Sequence, residues 1–349
     1  MNKYNVGSLF AGVGGICQAF KDASCNVLWA NENDEHSAAT YELNHTETNL
    51  IKKSVADLTK DDLDAIDILT AGFPCQPFSQ AGHGKGFDDE RGKLFDHVTR
   101  LLKELEPQAY FLENVKTLVT HNEGKSFEYV RTEIAKAGYS FIPFILNAAE
   151  YSEIPQGRAR IYIVGFKDEP DFSYHSPVTA NSNLFSQEYA EENPMSSAFK
   201  IPTRLENQQK AVKDFLDNST VAPDDYYNKP ENIIHKRVID KVTDPNIVYQ
   251  YRRWYVRENK SNVCPTLTAN MGGGGHNIPI ILDGETPRRL TPKECFNLQG
   301  FKKNFKLPYD KVPKTQLYKQ SGNTVVVPLV ARIAEEIVRV LDENGSRQS

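Results

Sequence analysis

The stretch NVGSLFAGVGG, Asn5–Gly15, decides the fold. An apolar, β-rich run over residues 5–10 ends in a glycine-rich turn, and a helical pattern opens at Ile16. A chain that leaves a strand through such a turn and enters a helix at once is half of a βαβ unit, and its backbone can approach a ligand closely there. The alternation continues outward. NVLWA (26–30) reads as a second strand and residues 35–44 as a helix. DAIDILTAG (64–72), a helix over 94–105, QAYFLENV (108–115) and a helix over 127–137 follow, then the strands SFIPFILNA (140–148) and RIYIVGF (160–166). Strand and helix alternating to about residue 170 predict an α/β, doubly wound, mostly parallel sheet with ligands at the carboxyl ends of its strands.

Beyond Lys167 the texture changes. The segment to residue 197 is polar, is broken by Pro170, Pro177 and Pro194, and has no clear period. Residues 181–228 carry eight acidic against four basic side chains, whereas residues 229–262 carry eight basic against four acidic. The second piece contains YQYRRWYVRENK, with Arg252, Arg253, Arg257 and Lys260 interleaved with Tyr249, Tyr251, Trp254 and Tyr255. The end of the chain, 327–341, spaces Leu329, Ile333, Ile337 and Leu341 by four and predicts a packed helix. These shifts predict a boundary or a long irregular segment after the first domain.

With 349 residues, 25% charged and 39% apolar, the chain can bury a substantial core and belongs with soluble proteins. The first ten residues lack the pattern of a secretory signal, and no apolar run reaches the roughly 18 residues that span a bilayer, so a cytoplasmic protein without membrane contact is expected. A net charge of -5 excludes a generally basic surface, leaving nucleic-acid contact to a local patch. The five cysteines, Cys17, Cys25, Cys75, Cys264 and Cys295, are scattered without a CxxC pair, which supports neither a disulfide framework nor a metal site.

FAGVGG, Phe10–Gly15, departs from the GxGxxG spacing, so the turn favours an adenosine-containing ligand without choosing NAD over S-adenosylmethionine. Glu32, at the end of the next strand, is placed to accept ribose hydroxyls, and Asp57 to accept an adenine amine. GFPCQPFS, Gly72–Ser79, tilts the balance. Its Cys75 follows a strand at the mouth of the sheet between Pro74 and Pro77, which restrict the backbone on both sides. A buried core thiol has no need of such bracing, whereas Cys17, Cys25 and Cys295 read as small apolar core residues. Glu113, in ENV, ends a strand at the same edge, and Arg158 and Arg160 in QGRAR stand two apart on an extended segment, on one face, where they could hold an anion.

FAGVGG, GFPCQPFS, ENV, QGRAR, RRLTPKECFNLQGF (288–301) and QSGNTVVVPLV (320–330) occur in an order and spacing that resembles the DNA cytosine-5 methyltransferase family, in its bacterial restriction–modification branch. The resemblance leaves uncovered only about 167–263. It implies the fold of S-adenosylmethionine-dependent methyltransferases, with a first domain over 1–172 completed by 320–349 and a smaller, irregular target-recognition domain and hinge over 173–319. It also implies that Cys75 adds to carbon 6 of a flipped-out cytosine, that Glu113 hydrogen-bonds the ring, that Arg160 orients the base and that Arg158 supports the pocket. The expected cofactor set is Phe10, Ala11, Gly12, Val13, Gly15, Asn31, Glu32, Asn33, Asp57, Leu58, Gly72, Pro74, Leu94, Asn323 and Thr324. Asn33 stands where the family often carries an aromatic that stacks on adenine.

For double-stranded DNA the expected contacts are Ser79 and Arg91 in a closing loop, Arg252, Arg253 and Arg257 in the basic-aromatic run, and Thr266. The resemblance further implies a monomer that protects DNA from a cognate endonuclease without a stable complex. A tRNA cytosine-5 methyltransferase is the main alternative. A silent DNA-binding regulator is disfavoured by the retained Cys75, Glu113 and Arg160, and an NAD-dependent oxidoreductase by the glycine spacing.

Overall fold

The computed structural model describes residues 4–74, 94–167, 198–206, 210–217, 231, 233–252, 254–259, 263–273 and 276–348. The first half runs β1 (Asn5–Leu9), α1 (Gly15–Asp22), β2 (Asn26–Asn31), α2 (Glu35–Asn44), β3 (Asn49–Ile51) and β4 (Ile68–Ala71). It continues with α3 (Leu94–Leu105), β5 (Ala109–Val115), α4 (Lys125–Lys136), β6 (Ile142–Asn147), α5 (Ala148–Tyr151), β7 (Gln156–Gly157) and β8 (Ala159–Phe166). Among the described residues seven strands form one sheet in the order β3-β2-β1-β4-β5-β8-β6.

This order positions the site. The chain builds outward from β1 through β2 to β3, then returns to place β4 on the other side of β1. The strand order therefore reverses at β1, and the crevice outside the carboxyl ends of β1 and β4 is where such sheets bind ligands. β4 is buried along its whole length and β5 over all but its last residue, as strands covered on both faces must be. Only β8 runs antiparallel to its neighbours β5 and β6, because the short link through α5 and β7 cannot cross over the sheet. The doubly wound, mostly parallel sheet expected from the sequence is present, with β3 as an unanticipated edge strand.

The second half contains α6 (Ile233–Val238), β9 (Tyr249–Arg252), β10 (Tyr255–Glu258), β11 (Cys264–Pro265), β12 (His276–Asp283) and β13 (Thr286–Arg289). After these come α7 (Pro292–Asn297), α8 (Lys314–Asn323) and α9 (Val327–Gln348). A separate antiparallel sheet has the order β10-β9-β12-β13 and packs Tyr249, Tyr251, Ile278 and Ile280 with Val238 and Val242 in a small core of its own. β11 pairs in parallel with β7, a direct tie between the two halves. α9 packs against α1, and its Leu329, Ile333, Ile337 and Leu341 are buried in the large core. Phe296, Phe301 and Phe305 join that core as well. Among the described residues no helix is long and apolar enough to cross a membrane.

Candidate active site

The glycine-rich turn after β1 is tight because two neighbours press against it. Gly14 has φ 89°, and a Cβ there would sit 2.1 Å from Nε2 of the buried His45. A Cβ at Gly15 would meet the Thr324 hydroxyl at 2.3 Å, so the segment after α8 closes directly onto the turn. Phe10, also with positive φ (52°), holds the start of the turn in a left-handed conformation that non-glycine residues seldom adopt. Glu32, just beyond β2, fastens the turn: its Oε2 accepts from the Gly12 N–H at 2.8 Å and its Oε1 from the Asp34 N–H at 2.7 Å. Burial pushes its carboxyl above the ordinary value. Each oxygen keeps a lone pair for a further donor.

Glu113 and Arg160 meet on the neighbouring strands. In the β5–β8 ladder Val115 lies opposite Arg160 and Glu113 opposite Tyr162, which makes Glu113 and Arg160 diagonal neighbours on one face. Arg160 Nε stands 3.2 Å from Glu113 Oε1. Glu113 is 9% exposed, and burial raises its carboxyl against the opposing pull of Arg160 and then Arg158. A carboxyl held this way keeps its proton to higher pH and can donate a hydrogen bond as well as accept one. Asn114 acts one residue on, its Nδ2 donating to the Phe73 carbonyl at 3.1 Å. This bond fixes the chain immediately ahead of Pro74.

These groups surround one cavity of about 350 Å³ at the strand ends. Of the expected cofactor residues, Phe10, Ala11, Gly12, Val13, Gly15, Glu32, Asn33, Gly72, Pro74, Asn323 and Thr324 line it, as do Glu113, Arg158 and Arg160. Four do not. Asn31 is buried with its Nδ2 donating to the carbonyls of Ile51 and Lys53, so it closes the β2–β3 edge. Asp57 sits in a short 3-10 turn, Leu58 is buried in the large core, and Leu94 packs against that core from the start of α3. Cys75, Ser79, Arg91 and Arg253 lie outside the described residues.

Arg158 departs from the expected anion-holding pair. Its guanidinium is buried and donates to the carbonyls of Leu267 (2.9 Å), Gly322 (3.0 Å) and Thr324 (2.6 Å), fastening β7–β8 to two remote segments. Gln156 does similar work, donating to the Leu298 carbonyl and accepting from the Leu267 N–H. Arg158 and Arg160 thus have different partners, because Arg158 precedes β8 and is not part of its ladder. Sequence reading also missed lining residues on and before α8, Gln316, Lys319 and Gln320 among them, and Asp34, which caps α2 through the Ser37 N–H. Gln320 follows a helical stretch with no glycine or acidic signal. Only its place beside Asn323 and Thr324 in QSGNT marks it.

A second cleft, of about 570 Å³, opens between the two sheets and is lined by Arg252, Arg257 and Thr266. The Thr266 hydroxyl donates to the Gly157 carbonyl at 2.5 Å. That bond ties the segment to β7 and sets the hydroxyl at the border of the cleft.

An open α/β sheet with a glycine turn, an acidic residue ending β2 and a buried carboxyl–guanidinium pair around one cavity defines a class of enzymes that hold an adenosine-type ligand beside a reacting group. The chain belongs to the C-5 cytosine-specific DNA methylase family, whose model matches residues 4–339. It is 41% identical over 337 residues to the Type II methyltransferase M.Bsp6I of Bacillus sp. (strain RFL6), covering 96% of this chain and 98% of that protein. It is 33% identical over 348 residues to the Type II methyltransferase M.HaeII of Haemophilus aegyptius, covering 98% and 95%. The same fold occurs in the crystal structure of S. pombe Dnmt2 methyltransferase, with a TM-score of 0.69 at 20% identity over 97% of this chain and 100% of that one. A putative DNA modification methyltransferase encoded within an E. coli prophage has a TM-score of 0.66 at 21% identity, over 97% and 100%. The protein is a DNA cytosine-5 methyltransferase, and family and fold imply S-adenosylmethionine as its methyl donor.

Proposed function

We propose that the protein methylates carbon 5 of a cytosine swung out of a specific duplex DNA sequence, through a transient bond from Cys75 to carbon 6. In this reading it acts in the cytoplasm as a monomer and shields DNA from a cognate restriction endonuclease without a stable complex. The Type II names of the relatives support the protective role. One observation carries the chemistry: the Glu113–Arg160 pair and the Glu32–Gly12 turn face a single cavity whose wall includes Pro74, the residue directly before Cys75.

The residues present fit the methyl donor. Glu32 has free lone pairs for ribose hydroxyls, and the buried Gln320 side chain lines the same cavity with its Nε2 lacking a hydrogen-bond partner among the described residues. Glu32, the backbone at Phe10–Gly12, Asn33 and the α8 residues Gln320, Asn323 and Thr324 would hold it. Bound there, S-adenosylmethionine supplies an electrophilic methyl group.

Carbon 5 of cytosine is a poor nucleophile until a sulfur adds at carbon 6. The Cys75 thiolate forms that bond, and the displaced ring electrons make carbon 5 reactive. Glu113, its carboxyl raised above the ordinary value by burial, hydrogen-bonds ring nitrogen 3 and accepts from the exocyclic amine, stabilising the charge that develops. Arg160 fixes the Glu113 carboxyl and orients the base. Once carbon 5 carries the methyl group, a water molecule takes its proton, the carbon–hydrogen pair re-forms the 5,6 double bond, and the carbon–sulfur pair returns to Cys75 as thiolate.

For the domain division we propose a catalytic unit over 1–172 completed by the chain end, and a recognition unit between. The burial of Phe296, Phe301 and Phe305 in the large core supports a return at α7, ahead of residue 320.

The test supplies tritiated S-adenosylmethionine with duplex DNA or bulk tRNA, using wild type and Cys75→Ala. Label on DNA that disappears with the alanine variant is expected, together with covalent trapping on 5-fluorocytosine DNA. Label on tRNA alone would overturn the substrate, and label surviving in Cys75→Ala the nucleophile.

A further inference from the structure

Arg252 ends β9, the strand flanked by β10 and β12, and its guanidinium is held from one side only. Its Nη1 donates to Gln250 Oε1 at 3.2 Å and to Asn277 Oδ1 at 2.5 Å. Asn277 reaches it because the β9–β12 register shifts between His276 and Ile278, a bulge at which Asn277 adopts φ 58° and turns its amide back over β9. Both Nη1 hydrogens are thereby used. The opposite edge, Nε and Nη2, has no hydrogen-bond partner among the described residues, and it is the edge whose two N–H groups point in parallel.

Arg252 lines the 570 Å³ cleft. Gln250 and Asn277 line the same space, as does Glu150, whose carboxylate is held by the Asn147 amide and by Arg204. The two neutral amides flanking Arg252 suit base edges, which offer both donors and acceptors. Arg257 lines the same cleft but lies on the edge strand β10, is exposed, and has no side-chain anchor among the described residues. The cleft also adjoins the catalytic cavity, since Gly157 lines one and Arg158 the other.

We propose that Arg252 reads a guanine of the recognition sequence close to the methylated cytosine, its Nε–Nη2 edge donating to O6 and N7 in the major groove. Arg257 contacts the DNA backbone without regard to sequence. The assignment rests on the reading of the protein as a sequence-specific DNA methyltransferase, and it adds one base and one residue to that reading.

Competition binding, with the wild-type methylation pattern identifying the site, separates the two. Wild type binds duplexes carrying guanine at one position of the site in preference to the other three bases. Arg252→Ala loses that preference by about 10- to 100-fold, the range expected of one bidentate base contact, while keeping its preferences elsewhere. Arg252→Lys, which cannot present two parallel donors, loses it too. Replacing that guanine with 7-deazaguanine weakens wild type, a result that does not depend on how the variants fold, and leaves Arg252→Ala unaffected. Arg257→Ala weakens all duplexes alike and lowers the salt slope by about one. If Arg252→Ala instead weakens every sequence equally with a salt slope lower by about one, or if 7-deazaguanine at every guanine leaves wild type unchanged, Arg252 is a backbone contact and the proposal fails. Wild type that binds a specific duplex yet transfers no methyl group to it would overturn the proposed reaction and leave the assignment of Arg252 standing.

Discussion

The cavity at the end of the large sheet and the cleft beside the small sheet solve opposite problems. In the first, the polar groups are tied to one another before any ligand arrives: Glu32 to the backbone of the turn, Glu113 to Arg160, Arg158 to three carbonyls. In the second, Arg252 is anchored on one edge and unengaged on the other among the described residues. A site that performs the same reaction on every turnover gains from fixed geometry. A site that must discriminate among sequences gains from donors left open until the correct base fills them, because a wrong base leaves them unpaired at a cost. Changes in the cavity should therefore alter rate or stability for all DNA alike, and changes in the cleft should alter which DNA is used.

The largest effect is expected at Cys75. Cys75→Ala should lower turnover by about 10⁴-fold or more while leaving specific DNA binding intact, since only the nucleophile is removed. A surviving rate within 10-fold of wild type would break the comparison at its first term. Glu113→Gln should lower kcat by about 10²- to 10³-fold on every substrate sequence. Because burial raises the Glu113 carboxyl, its protonated form is lost as pH rises through the folded value, so wild-type kcat should carry an alkaline limb that Glu113→Gln lacks. The sign for stability is the same. The folded state binds the extra proton between 4.5 and the raised value, so stability falls as pH rises across that window, and thermal melts of Glu113→Gln should lose the dependence.

Arg158→Ala should act on the fold more than on the chemistry. Three carbonyls lose a charged donor at once, and a loss of about 3 kcal/mol in a denaturant titration is expected. Lysine at this position should recover little of it, since one ammonium cannot reach carbonyls on both segments in a guanidinium's geometry. A smaller cost, about 1–3 kcal/mol, is expected of Gly14→Ala, where positive φ and the His45 ring both oppose a side chain.

The same contrast explains what the sequence disclosed. Strands β1, β2, β4 and β5 announce themselves as short apolar runs closed by turn residues, and strand ends locate Glu32 and Glu113 without knowledge of the partners. β3 is three residues long with polar flanks, below any periodic signal. The reversed direction of β8 is invisible too, because alternation is the same whichever way a strand runs. Arg158 and Arg160 looked equivalent at a spacing of two, yet the register begins at Ala159 and separates them. Asn31 ends β2 yet its amide donates to the next strand and its flank, because nearness in sequence to a strand end does not say which way a side chain faces. In the second half, the run of arginines and aromatics forms the β9–β10 hairpin, which joins a sheet through β12, a partner more than twenty residues away.

Asn277 supplies the smallest and most discriminating effect. Its positive φ is tolerated by asparagine and preferred by glycine, so Asn277→Gly relieves backbone strain while removing the amide that holds Arg252 Nη1. Stability should change by less than about 1 kcal/mol, in either direction, because relief of strain offsets the lost hydrogen bond. Discrimination at the guanine position should fall by only about 3- to 10-fold, as Gln250 still anchors Arg252 and the unused edge survives with more freedom to lose on binding. Rates on the preferred sequence at saturating DNA should be unchanged, since nothing in the catalytic cavity moves. If Asn277→Gly discriminates as well as wild type, the anchor is irrelevant and the cleft does not rely on an arginine held from one side; if it slows turnover at saturation, the cleft and the cavity are not separable.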